Sequence, residues 1–60
     1  MVIHEFTITL VNVKTGAREV FDFIANSDNY FEAWKEATDF ASEKLKALFP
    51  QYTHIASIEN

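Results

Sequence analysis

Four carboxylates in the second half of the chain repeat at a spacing that could make one binding surface. Glu32, Glu36, Asp39 and Glu43 are separated by four, three and four residues. On an α-helix, which turns about 100° per residue, they fall within about 60° of one another and form a single stripe. Such a stripe is typical of a solvated helix face, and it can also present negative charge to a basic protein surface. Both interpretations stay open.

Residue types that support catalysis or metal binding are sparse. The chain has no Cys and one Gly, which excludes a thiolate site and a Gly-rich phosphate loop. His4 and His54 have no carboxylate at a metal-site spacing, so we interpret them as half-buried structural side chains near one end of the core face. Glu5 and Asp22 are expected on an open sheet face, without the cleft that general acid catalysis needs. The sequence therefore predicts a protein that is not an enzyme and holds no metal or cofactor.

Charge and hydropathy narrow the class of partner. Nine Asp and Glu against five Lys and Arg give a formal net charge of −4, which disfavours binding to phosphate backbones and to anionic membranes. The stretch "MVIHEFTITL" has no basic segment and alternates as a strand does, and no apolar run is long enough to cross a bilayer. We therefore expect a cytoplasmic protein that binds neither nucleic acid nor membrane.

The first half of the chain is predicted to form a β-hairpin. In "NVKTG", Asn12 can bond backbone groups that follow it, and Gly16 can adopt the positive φ that closes a four-residue loop. This loop pairs residues whose numbers sum to 29, whereas a three-residue loop would set Ile8 opposite Asp22 and mix the two faces. The resulting core face consists of Phe6, Ile8, Leu10, Phe21 and Phe23.

A helix and a third strand are predicted to follow. Asn29, three residues before Glu32, is a suitable N-cap, and Pro50 should end the helix at Leu48 or Phe49. The apolar face of this helix consists of Tyr30, Ala33, Trp34, Ala37, Ala41, Leu45 and Leu48. In the last segment, "YTHIASIEN", Tyr52, His54, Ala56 and Ile58 are expected to face inward and Ile55 outward.

These elements predict a single α+β domain over residues 1–60. The order is ββαβ, and a right-handed crossover gives a three-stranded antiparallel sheet of order 2-1-3 with one helix packed on one face. The predicted elements are a strand at about 2–12, a turn at 13–16, a strand at about 17–25, a helix at about 29–48 and a strand at about 52–59. The other sheet face has nothing in the chain to pack on, so we expect Val11, Val20 and Ile24 to support self-association as a homodimer.

In size, charge and compactness the chain resembles the small inhibitor proteins that phages and mobile elements encode, anti-CRISPR proteins among them. The resemblance covers no specific motif and transfers no functional residue. It implies a protein that occupies a surface on a larger complex. The predicted function is a non-catalytic protein-interaction module that docks on a basic protein surface through Glu32, Glu36, Asp39 and Glu43. The alternative is a small structural homodimer or adaptor domain with no inhibitory role.

Overall fold

The chain folds in the order ββαβ. The computed structural model describes residues 3–60, so the predicted start of the first strand at position 2 lies outside the described residues. The elements are β1 (Glu5–Val11), β2 (Arg18–Ile24), α1 (Tyr30–Leu48) and β3 (His54–Glu59). The strands form one sheet of order β2-β1-β3, and both pairings with β1 are antiparallel. The predicted α+β class, strand order and single helix are confirmed.

The turn between β1 and β2 sets the register of the hairpin. The Asn12 side-chain oxygen accepts hydrogen bonds from the backbone N–H groups of Lys14 (2.9 Å) and Thr15 (3.2 Å). Gly16 has a φ of 79° and donates its N–H to the Asn12 carbonyl at 2.7 Å. The predicted register is confirmed: the core-facing pairs are Phe6 with Phe23, Ile8 with Phe21 and Leu10 with Glu19.

Local signals also determine the ends of α1. The Asn29 side chain accepts a hydrogen bond from the backbone N–H of Glu32 at 3.1 Å, which satisfies one of the free donors of the first turn. The helix ends at Leu48, and Phe49 has an extended backbone with φ −70° and ψ 137°. A residue before proline is restricted to such geometry, so Pro50 ends the helix as predicted.

The helix packs on the sheet through its smallest side chains. Its fully buried positions recur every four residues, and they lie over large side chains of the central strand. Because alanine has no side chain beyond Cβ, the helix backbone can approach the sheet closely. The helix residues are Ala33, Ala37 and Ala41, the strand residues are Phe6, Ile8 and Leu10, and all six have 0 % exposure.

Aromatic side chains extend this core to both sides of the alanine row. Trp34 packs edge to face on Phe6, with ring centroids 4.8 Å apart. On the β2 side, Phe40 stacks on Phe23 at 4.7 Å and lies edge to face with Phe21 at 6.4 Å. Phe40 is absent from the predicted apolar face, so the face that α1 buries is wider than the sequence predicts.

The predicted facing of β3 is half wrong. Tyr52 and Ile58 face the core as expected, but His54 and Ala56 are exposed, and Ile55 packs in the core rather than on the open face. The reason is an irregularity in the pairing of β3 with β1, which shifts register between Thr9 and Leu10 and leaves Ala56 without a partner. A bulge of this kind reverses the alternation of side chains, so two isoleucines three residues apart both reach the core.

The domain is long and thin. Its principal extents are 41, 16 and 13 Å, and its radius of gyration is 12.0 Å, against about 10 Å for a compact domain of this length. The elongation arises because the helix runs along the strands, with Ala33 beside Phe6 and Ala41 beside Leu10. A two-layer domain of this shape leaves one sheet face and both sheet edges at the surface.

Candidate functional site

The acidic helix face (Glu32, Glu36, Asp39 and Glu43) lies on the part of α1 that does not contact the sheet. Glu32, Asp39 and Glu43 are exposed, whereas Glu36 is half-buried. The helix beneath them is held by its alanine row, so the exposed carboxylates project from a rigid element. The structure therefore brings the four residues onto one side of the helix and gives Glu36 a different environment from the rest.

Glu36 holds the connection between β2 and α1. Its two carboxylate oxygens accept hydrogen bonds from the backbone N–H groups of Asn26 (2.9 Å) and Ser27 (3.1 Å). Hydrogen bonds to an ionised acceptor are stronger than neutral ones, and here they satisfy two loop donors at once. Glu36 thus stabilises the loop that leads into the helix, which the sequence does not indicate because the contact spans nine and ten residues.

The open sheet face carries the predicted self-association residues. Val20 and Ile24 are 58 % and 60 % exposed, and Val11 is half-buried. Polar side chains surround these aliphatics, and Ile55 is replaced on this face by His54, which pairs with Val11. Other residues of the open sheet face are Glu5, Thr7, Thr9, Arg18 and Asp22.

The two histidines lie at opposite ends of β1, which contradicts the expectation that they share one end of the core face. His4 precedes the strand, whereas His54 pairs with its last residue, so they are separated by about 20 Å of extended chain. His4 Nε2 is 3.1 Å from the Asp28 carbonyl oxygen, and His54 Nδ1 is 2.9 Å from Thr53 Oγ1. Among residues 3–60, no three His, Asp or Glu side chains converge on a point where they could hold a metal ion.

A shallow pocket of about 240 Å³ opens between β2 and the end of α1. On one side the Tyr52 hydroxyl donates to Glu19 Oε2 at 3.3 Å. Burial raises the pKa of the Tyr52 phenol, and the nearby negative charge of Glu19 and its hydrogen bond raise this pKa further. On the other side, Lys44 Nζ lies 5.2 Å from the Phe21 ring centroid, within the range of a cation–π contact. The pocket combines a neutral phenol with one charge of each sign, and this long-range pairing is invisible in the sequence.

Phe31 is the most exposed large apolar side chain of the described residues, at 84 %. It lies in the first turn of α1 next to Glu32, outside the apolar face that the sequence predicts for the helix. Tyr30, which the sequence places on the apolar face, is 50 % exposed, and its ring contacts Phe31 edge to face at 6.4 Å. At 100° per residue, Phe31 lies about 110° around the helix from the centre of the acidic helix face, so this aromatic pair occupies a different side of the first turn of α1.

Comparison with protein-family models, with curated proteins and with solved structures finds no match for this chain. Within residues 3–60, no helix combines the length and apolar character of a membrane span. The class that the structure defines is thus a small α+β domain with one helix on a three-stranded sheet.

Proposed function

We propose that this chain is a non-catalytic protein-interaction module that docks on a basic protein surface through its acidic helix face. In this proposal it acts as an inhibitor of the kind that phages and mobile elements encode, by occupying a surface that a larger complex needs. The observation that carries the proposal is the exposure of Glu32, Asp39 and Glu43 on one side of a packed helix. A preorganised helix loses little conformational entropy on binding, so little of the interaction free energy of its charges is offset by ordering the chain.

The exposed ring of Phe31, about 110° around α1 from the acidic helix face, offers a second contact to a partner that wraps around the helix. An interface formed by charges alone gains mainly association rate, whereas affinity comes from a few buried anchors, often aromatic. Phe31 is exposed beside Glu32 and makes little contribution to the core. In the proposed complex the carboxylates steer the encounter, and Phe31 enters an apolar depression on the partner.

The test uses the immobilised chain to capture proteins from a lysate of the source organism, followed by binding measurements on the purified captured protein. The helix variant Asp39→Asn/Glu43→Gln should bind about tenfold more weakly and show a smaller salt dependence, chiefly through slower association. Phe31→Ala should instead accelerate dissociation while leaving the salt dependence unchanged.

A matched control separates the helix face from net charge. The sheet variant Glu5→Gln/Glu59→Gln also removes two negative charges, so both double variants have a formal net charge of −2. Only the helix variant should lose binding. Equal losses in the two variants would mean that general acidity is recognised, and unchanged binding in the helix variant would show that the partner contacts another surface.

The second candidate function is a small structural homodimer or adaptor domain with no inhibitory role. It is favoured by a different observation, the exposure of Val20 and Ile24 on the open sheet face. Clusters of exposed aliphatics can mark a contact between proteins. Self-association of the isolated chain, with no protein captured through the helix face, would favour this candidate.

A further inference from the structure

The two edges of the sheet differ in how well they are protected against pairing. Edge strands of natural proteins are usually shielded by bulges, prolines or lysines, because unpaired backbone groups invite another strand. The β3 edge is interrupted at Ala56, where its register with β1 shifts. The β2 edge, Arg18–Ile24, pairs with β1 in unbroken register and contains no Pro and no Lys. The β2 edge is therefore the one open to a further strand.

The hydrogen bonds at both ends of β2 show which of its backbone groups are free. The Asn12 N–H donates to the Ala17 carbonyl, and the Ala25 N–H donates to the His4 carbonyl. In an antiparallel pair alternate residues face the partner strand, so the odd-numbered residues of β2 bond to β1. The backbone N–H and C=O groups of Arg18, Val20 and Asp22 consequently point away from the sheet.

We propose that β2 pairs with β2 of a second copy of this chain, antiparallel about a two-fold axis at Val20. In this register Val20 faces its own copy, and Arg18 of each chain faces Asp22 of the other. The pairing thus places an apolar contact between two opposite-charge pairs, which is the arrangement that stabilises cross-strand neighbours. The product is a continuous six-stranded sheet with an isologous interface.

Charge complementarity selects this register over its neighbours. A shift that centres the axis on Phe21 sets Val20 opposite Asp22 and Arg18 opposite Ile24, which pairs charged with aliphatic side chains. A shift to Asp22 sets two like charges directly opposite each other, which is destabilising. Only the axis at Val20 matches charge with charge and aliphatic with aliphatic.

The helix-covered side of the sheet supports the same register. Each helix lies over β1, and in the dimer the two β1 strands are three strand spacings, or about 14 Å, apart. The space between the helices is lined by half-buried Phe21 and Phe40 side chains. In the proposed pairing Glu19 faces Phe21 of the second copy, over which Lys44 is held at 5.2 Å. A second opposite-charge contact, between Glu19 and Lys44, therefore forms on this side.

The test is a charge exchange read out by sedimentation. Arg18→Asp and Asp22→Arg should each weaken dimerisation by roughly tenfold or more, because each creates two like-charge pairs. The double variant R18D/D22R should restore it. An equimolar mixture of the two single variants should form a heterodimer, since every pair across that interface is of opposite charge. Amide hydrogen exchange at Val20 and Asp22 should slow as the concentration of the wild type rises.

Several outcomes would overturn the proposal. A wild type that sediments as a monomer at its solubility limit would exclude the dimer. A double variant that dimerises as weakly as the single variants would exclude the register. Ser57→Lys charges the open sheet face on β3, which β1 separates from the β2 edge, and should leave this dimer intact. Association that Ser57→Lys abolishes and the charge exchange leaves unchanged would show face-to-face stacking of sheets instead. None of these substitutions touches the acidic helix face, so the dimer and the proposed function are tested separately.

Discussion

The two faces of the sheet differ in how strongly burial restricts the choice of side chains. Along β1, Phe6 and Ile8 are completely buried beneath α1, whereas Thr7 and Thr9, their immediate neighbours, are half exposed on the other face. The covered face requires shapes that fit a close-packed helix, since protein interiors have few voids. The open face has no such requirement, and its residues can be chosen for contact with another chain. In this protein the plane of the sheet therefore separates the side chains that form the core from those that face outward on the open side.

The largest expected effect comes from truncating the central strand on its covered side. Phe6→Ala should lower the free energy of unfolding by about 3–5 kcal/mol, which approaches the whole stability of a small domain. Thr7→Ala, one residue along, should change it by about 0.5 kcal/mol or less. Denaturant unfolding measures both. If Phe6→Ala does not fold, Ile8→Val offers a milder loss of about 0.5–1.5 kcal/mol, and equal losses at Phe6 and Thr7 would contradict the assigned faces.

Enlarging the alanine row should be the next most damaging change. Ala37 is fully buried between the helix and the sheet, so Ala37→Leu should cost about 1–3 kcal/mol through overpacking. Ala47 lies on the same helix and is exposed. Because alanine and leucine both have high helix propensity, Ala47→Leu changes the side chain without crowding the core and serves as the matched control. A stable Ala37→Leu variant would mean that the helix lies farther from the sheet than its alanines indicate.

A smaller effect is expected within the acidic helix face, where one carboxylate belongs to the fold. Glu36→Gln weakens two hydrogen bonds to backbone N–H groups, and because the residue is only half-buried the expected loss is about 1 kcal/mol. Glu32→Gln, at an exposed position of the same face, should be close to neutral. Thermal unfolding of the two variants compares them directly, and equal stabilities would remove the structural role of Glu36.

The smallest effect appears at alkaline pH and concerns Tyr52. The folded protein raises the pKa of this phenol, through burial first and Glu19 second, so the folded state holds the phenolic proton more tightly than the unfolded state does. The stabilisation that the folded state gains from holding this proton is complete below the unfolded pKa of about 10. It is lost as the pH rises through the pKa of Tyr52 in the folded state. Tyr52→Phe should therefore reduce the loss of thermal stability between neutral and strongly alkaline pH. An identical pH dependence in both proteins would contradict the raised pKa.

Part of the candidate site could be predicted from the sequence because it depends on helical spacing alone. The alignment of Glu32, Asp39 and Glu43 needs only the helix period. The separate role of Glu36 depends on the path of the loop after β2, and the 50 % exposure of Tyr30, which helical spacing places on the apolar face, depends on what lies beneath the first turn. These features depend on the relative placement of two elements, which no local pattern encodes.

The hairpin register and the ends of α1 were determined by the sequence itself, since Asn12, Gly16, Asn29 and Pro50 act on backbone groups within a few residues of their own positions. The strand order followed from chain connectivity and the handedness of the crossover. The facing of β3 was decided only by the tertiary structure. Its alternating pattern fits either face, and the bulge at Ala56 turns Ile55 inward, so that Ile55 and Ile58 both pack on the core beneath α1. Burial of apolar surface therefore prevailed over regular alternation.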